Sequence, residues 1–164
     1  MIKKLLVIKS KSLEEQFTEL GVVNYLDLKR VKDVIETPAD NYYIKNIEDG
    51  TKMLGKSPDN CDKIFKEQGR RGLTIYEGLA LLRDNPDILK DHYIDLSGSR
   101  FGSDDVPALC LRGGRPGLDC SDSGLAFYRC GSASTKLINK LEKKSKKILP
   151  EILIINGIKY EKIS

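Results

Sequence analysis

Arginine, glycine and serine crowd one stretch of this 164-residue chain. Arg70, Arg71, Arg100, Arg112, Arg115 and Arg129 all fall between residues 70 and 129, most of them beside a glycine or a serine. A guanidinium fork grips carboxylate or phosphate through two parallel N–H bonds, and glycine lets backbone amides approach the same anion. Ser97-Gly98-Ser99-Arg100 suits that role, and so does Gly131-Ser132-Ala133-Ser134 if it opens a helix whose free N–H groups point outward. The expected ligand-binding residues are Arg70, Arg71, Ser99, Arg100, Arg115 and Ser132, converging on one anion pocket. The competing account is ordinary turn and cap chemistry, with Ser134 an N-cap and the arginines paired to Asp91, Asp95, Asp104, Asp105, Asp119 and Asp122. Gly-x-Gly-x-x-Gly and the phosphate-loop pattern are both absent, which argues against a standard nucleotide site.

Cys110, Cys120 and Cys130 with His92, the one histidine, make up the ligand set of a structural zinc site. A five-residue loop over 113–117 places Cys110 opposite Cys120 across a hairpin. No two cysteines stand two to four residues apart, however, so free thiols are the default and no cofactor is expected. A thiol enzyme would take Cys130 as nucleophile, ahead of an expected helix start, with His92 as its base and Asp91 or Asp95 orienting the ring. Cys61 shares a helical face with Ile64 and Phe65 and reads as a core thiol.

The positioning elements follow from local chemistry. Ser12-Leu13-Glu14-Glu15 and Thr74-Ile75-Tyr76-Glu77 are capping boxes, predicting helices that begin at about 13 and 75. Ser57-Pro58 starts a third helix, which Gly69 stops. Gly78 inside the Thr74 helix implies close approach of another element. Residues 4–8 and 41–47 read as strands, Glu48-Asp49-Gly50 as a turn, and residues 22–35 as an apolar, buried stretch. Residues 106–111 and 125–130 read as short strands of a small sheet.

From Ser134 to about Leu149 the spacing predicts a helix with Leu137, Ile138 and Leu141 on one side and Lys136, Lys140, Lys143, Lys144, Lys146 and Lys147 on the other. A hairpin turning at Asn156-Gly157 follows. The net charge of +4 is carried wholly by this tail, since residues 136–164 hold eight lysines against three glutamates. The lysine face (Lys136, Lys140, Lys143, Lys144, Lys147) is a second place for an anionic partner such as nucleic acid. The N-terminal apolar run is too short for a signal peptide or a membrane span, so the expectation is a cytoplasmic protein without membrane contact.

Glu48-Asp49-Gly50, Arg71-Gly72-Leu73-Thr74, Glu77-Gly78, Gly98-Ser99-Arg100, Val106-Pro107, Gly114-Arg115-Pro116 and Gly131-Ser132-Ala133-Ser134 together resemble a family of uncharacterised bacterial proteins, over residues 42–134. The resemblance implies that this block is one unit, and no activity comes with it.

These observations predict a single α+β domain over 1–164, with a small, mostly antiparallel sheet, several helices, and a basic amphipathic helix plus hairpin over 134–164. The functional expectation is a non-enzymatic binding module whose Arg/Gly/Ser loops take an anionic small molecule or partner. A small thiol- or metal-dependent enzyme and a nucleic-acid-associated protein using the lysine face are the alternatives.

Overall fold

The computed structural model describes residues 1–138 and the two strands at 152–155 and 158–161. Strand β1 (Ile2–Val7) leads to helix α1 (Leu13–Leu20), which the Ser12–Glu15 capping box starts and left-handed Gly21 ends. Short strands β2 (Val23–Asn24) and β3 (Val31–Asp33) precede β4 (Tyr42–Ile47), which pairs antiparallel with β1. Helix α2 (Pro58–Glu67) begins at Ser57, whose side chain accepts from the Asn60 N–H. After β5 (Arg70–Gly72), the second capping box launches α3 (Ile75–Asp84), and the one-turn α4 (Ile88–Asp91) follows.

The remaining strands are β6 (Tyr93–Asp95), β7 (Ser99–Phe101), β8 (Asp105–Arg112), β9 (Arg115–Asp122), β10 (Cys130–Ser132) and β11 (Ser134–Lys136). The protein is thus mixed in class, with four α-helices and mostly antiparallel sheets among the described residues. In the main sheet β8 is the hub: it pairs antiparallel with β6, β7 and β9, while β10 joins β6, and β2 joins β9, in parallel. Strands β12 (Ile152–Ile155) and β13 (Ile158–Glu161) pair antiparallel with each other.

The register fixes which sheet face is core, because side chains alternate along each strand. Ile94 of β6 opposes Leu109 of β8, which opposes Leu118 of β9, and all three are fully buried. They join Leu5 and Val7 of β1, Phe17 of α1, and Ile75, Leu79 and Leu82 of α3 in one apolar cluster. Gly78 is the close approach expected within α3: a Cβ there would come 2.6 Å from a Leu96 methyl. Tyr93, Asp95, Cys110, Arg112, Arg115 and Asp119 fall on the opposite, outer face by the same alternation.

Three expectations change, and one lies outside the described residues. Ser134 does not cap a helix: it lies in β11, paired antiparallel with Gly72 of β5, so backbone pairing overrides the local cap signal there. The rest of the expected basic helix, with Lys140, Lys143, Lys144, Lys146 and Lys147, and its turn at Asn156-Gly157 lie outside the described residues. Residues 125–129 form no strand; their apolar side chains are exposed, and pairing resumes at Cys130. Residues 22–35 are not uniformly buried either, since Tyr25 and Val34 are about half exposed at 48% and 56%.

Candidate functional site

The first arginines serve the scaffold. Arg70 is buried: its Nε donates to Ser134 Oγ at 2.9 Å, and Nη2 donates to the carbonyls of Asn46 (2.6 Å) and Ser134 (3.0 Å). Asn46 has a left-handed backbone (φ 52°), a conformation asparagine tolerates, and this carbonyl is held by the guanidinium. Arg71 forks onto Glu77, with bonds of 2.8 and 2.7 Å to its two carboxylate oxygens. Glu77 is fully buried and also accepts from the Tyr42 hydroxyl and the Thr74 N–H. Burial, and then the Glu77 charge, push the Tyr42 phenol well above its ordinary pKa.

Arg100 is likewise engaged, donating to Asp62 of α2 at 3.0 Å and to the Ser97 carbonyl at 2.9 Å. The Ser97 hydroxyl donates to the other Asp62 oxygen at 2.6 Å. Ser99 is fully buried; its hydroxyl donates to Asp33 at 2.6 Å and accepts from the Ile75 N–H at the start of α3. A hollow of about 170 Å³ borders this contact, lined by Leu13, Leu28, Val31, Asp33, Ile75 and Tyr76. It is smaller than the roughly 300 Å³ at which small-molecule pockets begin.

Ser132 sits with Asp95, its register partner across β10 and β6, at the covered end of the outer face. Its buried hydroxyl has no oxygen or nitrogen partner among the described residues, and the Cys61 thiol of α2 lies against it. Asp95 is buried and accepts from the Ser121 hydroxyl at 2.7 Å. Arg115 is elsewhere: six residues of β9 separate it from Ser121, about 20 Å along the strand. Arg100 and Ser132 therefore both lie against α2, Arg115 lies at the far end of the hairpin, and the three do not meet in one concavity.

Burial pushes the Asp95 carboxyl above the usual carboxylate range, opposed in part by the Ser121 bond. In the unfolded chain an aspartate titrates near about 3.9. Between that value and the raised folded value the native state holds more protons, so this group's contribution to stability falls as pH rises. Asp95→Asn is expected to raise Tm at neutral pH, with the gain vanishing in acid below the unfolded value. Melting curves across that range check this, and a lower Tm for the variant at neutral pH would contradict it.

The zinc arrangement depends on a hairpin register that the structure corrects, and the thiol-enzyme arrangement on a helix start after Cys130, which instead opens strand β10. The β8–β9 turn is not a five-residue loop but Gly113-Gly114 alone, both with positive φ (58° and 77°), and Arg112 opposes Arg115. This two-residue turn moves Cys120 opposite Pro107 and Cys110 opposite Gly117, on opposite faces of the sheet. His92 precedes Tyr93 in extended backbone, so it points to the face away from Cys130, whose register partner is Tyr93. The buried His92 ring hydrogen-bonds the Asp49 carbonyl through Nε2 at 2.7 Å. No three His, Cys, Asp or Glu side chains gather in metal-binding geometry among the described residues. Burial raises all four thiols, and Cys130, with the Asp95 charge adding to burial, is pushed up to about 11.

The open end of the outer face gathers a different set. Arg112 stacks 4.6 Å from the centroid of the Tyr25 ring and ion-pairs with Asp119. Arg129 stacks 5.2 Å from the Tyr93 ring. Gly117 makes room for Tyr25, since a Cβ there would approach its ring to 3.0 Å. Arg115 is exposed, and neither it nor Arg129 has a carboxylate within ion-pair reach among the described residues. Of this group only Arg115 is among the ligand residues expected from the sequence. Tyr25 and Tyr93 carry no local signal of a site, because β2 and β6 meet β9 and β8 only through non-local pairing.

No curated protein and no solved structure matches the chain. A family model described as a family of unknown function matches residues 6–126. This span starts well before the residue 42 expected from the motifs and stops short of residue 134. It takes in both capping boxes, the helices they start and the whole β8–β9 hairpin, and on that match the chain belongs to the DUF5701 family, whose function is unknown.

Proposed function

We propose that this protein is a non-enzymatic binding module for an anionic ligand or partner, and that its contact surface is the open end of the outer sheet face. The carrying observation is that Arg115 and Arg129 lack a carboxylate partner among the described residues and share this face with Arg112. Arg70, Arg71 and Arg100, by contrast, spend their donors inside the fold. An unpaired guanidinium beside water keeps its fork available for carboxylate or phosphate. Against a thiol enzyme stand the raised Cys130 pKa and the placement of His92 on the other face. A cytoplasmic setting fits the four free thiols, and no helix among the described residues is long and apolar enough to cross a membrane.

Thermal unfolding in phosphate, sulfate and polyphosphate, against chloride at matched ionic strength, tests this reading. A ligand present at a hundredfold its Kd stabilises by about 2.7 kcal/mol, a readable rise in Tm. The rise is expected to disappear in Arg115→Ala/Arg129→Ala and to survive in Arg30→Ala, whose guanidinium stacks on Phe101 instead. If none of these anions shifts Tm beyond the chloride control, the reading is wrong.

A further inference from the structure

We propose that the same surface binds single-stranded nucleic acid, with Arg112, Arg115 and Arg129 on its phosphates and Tyr25, Tyr93 and Tyr128 beside its bases. The inference rests on the anion-binding reading and adds a partner to it.

Three features of the surface point this way. First, its charge is one-sided: among the described residues the open end of the face sets three arginines against one carboxylate, Asp119, which is committed to Arg112, while Asp95 lies buried at the covered end. Second, aromatic rings alternate with those charges. Tyr93 of β6 and Cys130 of β10 are register neighbours, and Arg129, the residue before Cys130, lies over the Tyr93 ring. Arg112 at the end of β8 lies over Tyr25, which follows β2 on the far side of β9. A guanidinium held over a ring is already positioned, so less freedom is lost when it meets a phosphate or stacks on a base. Third, the loop ahead of β10 presents rings that the core does not use: Tyr128 is 84% exposed and Phe127 46%. Exposed rings beside unpaired arginines are what a flexible polyanion with π-faces can use and a simple phosphate cannot.

The dimensions favour single strands over duplex. From β9 across β8 and β6 to β10 is three strand spacings, about 14 Å, a shallow platform rather than a projecting helix or ribbon that could enter a groove. Stacking requires bases already free of a partner, and this surface offers stacking and phosphate contacts without any element to read a paired base edge.

The test is fluorescence anisotropy of the full chain with labelled oligothymidylate, oligouridylate and a DNA duplex of equal length, over a salt series, with unlabelled polyphosphate as competitor. Single strands are expected to bind more tightly than duplex, with log Kd against log salt rising at a slope of about 2 for three phosphate contacts. Tyr128→Ala is expected to weaken single-strand binding about tenfold while leaving polyphosphate binding unchanged, since a stacked base contributes about that much and polyphosphate has no base. Because Tyr128 is exposed, the fold tolerates the change, and an unaltered Tm confirms it. Arg115→Ala/Arg129→Ala should weaken both ligands. Equal affinity for duplex, or a Tyr128→Ala variant that binds oligonucleotide as well as the parent, overturns the nucleic-acid inference and leaves the anion reading standing. Failure to bind either polyphosphate or oligonucleotide overturns both.

Discussion

Glu77→Ala is expected to destabilise the protein by about 3–5 kcal/mol, the range for removing one partner of a buried ion pair. The size follows from how many groups depend on that carboxylate: the Arg71 fork, the Tyr42 hydroxyl, and the Thr74 N–H of the α3 capping box. Alanine leaves all of them facing the cavity vacated by a fully buried carboxylate. Glu77→Gln keeps an acceptor for the cap and should cost less, although it surrenders the charge opposite Arg71. A urea titration of all three proteins measures this as a lower midpoint at constant slope. A loss under about 1 kcal/mol for the alanine variant would mean that the bonds around Glu77 are worth no more than an exposed pair.

Gly131→Ala is expected to cost about 3 kcal/mol or more, the upper end for overpacking a filled interior. The new methyl would stand 2.0 Å from the Gly50 carbonyl oxygen, 2.9 Å from its carbon and 3.2 Å from the Leu54 nitrogen. All three are backbone atoms, and Gly50 is itself fixed at a φ of 97°, so relief requires moving a loop rather than turning a side chain. Gly78→Ala is the control. Its clashes, at 2.6 and 2.8 Å, are with the two methyls of Leu96, the end of a side chain that yields more readily than main chain, and alanine returns about 1 kcal/mol of helix propensity. Urea midpoints of the two variants should therefore differ widely, and similar losses would show that the contact of Gly131 with Gly50 is looser than its distances imply.

What could be read from the chain was whatever short-range chemistry decides. Both capping boxes, the turn at Gly50 and the buried Cys61 depend on residues within a turn of one another, and each lies where its neighbours place it. The hairpin failed for a local reason too: Gly113-Gly114 closes a two-residue turn, and the five-residue alternative exchanges the faces of Cys110 and Cys120 relative to each other. Ser134 illustrates the opposite case. Serine before a run of lysine and leucine carries a cap signal, yet pairing with β5, 62 residues earlier, decides its backbone. Residues 125–129 combine leucine, phenylalanine and tyrosine, which composition alone reads as a strand to be buried, whereas the structure exposes them. The proposed surface was hidden for the same reason as Ser134: it assembles from β2, β6, β8, β9 and β10, and only the sheet order brings their residues together.

The way Arg70 is bound has a bearing on how freely this sequence can drift. Two of its three acceptors are main-chain oxygens, at positions 46 and 134, so the clamp recognises the path of the chain more than the identity of what hangs from it. Position 46 can then change to aspartate or glycine, which accept the same left-handed turn of the backbone, without releasing the guanidinium. Position 70 has less latitude: Nη2 alone reaches both main-chain oxygens, but a lysine ammonium has no second nitrogen in a rigid fork to keep the Nε bond to the Ser134 hydroxyl as well.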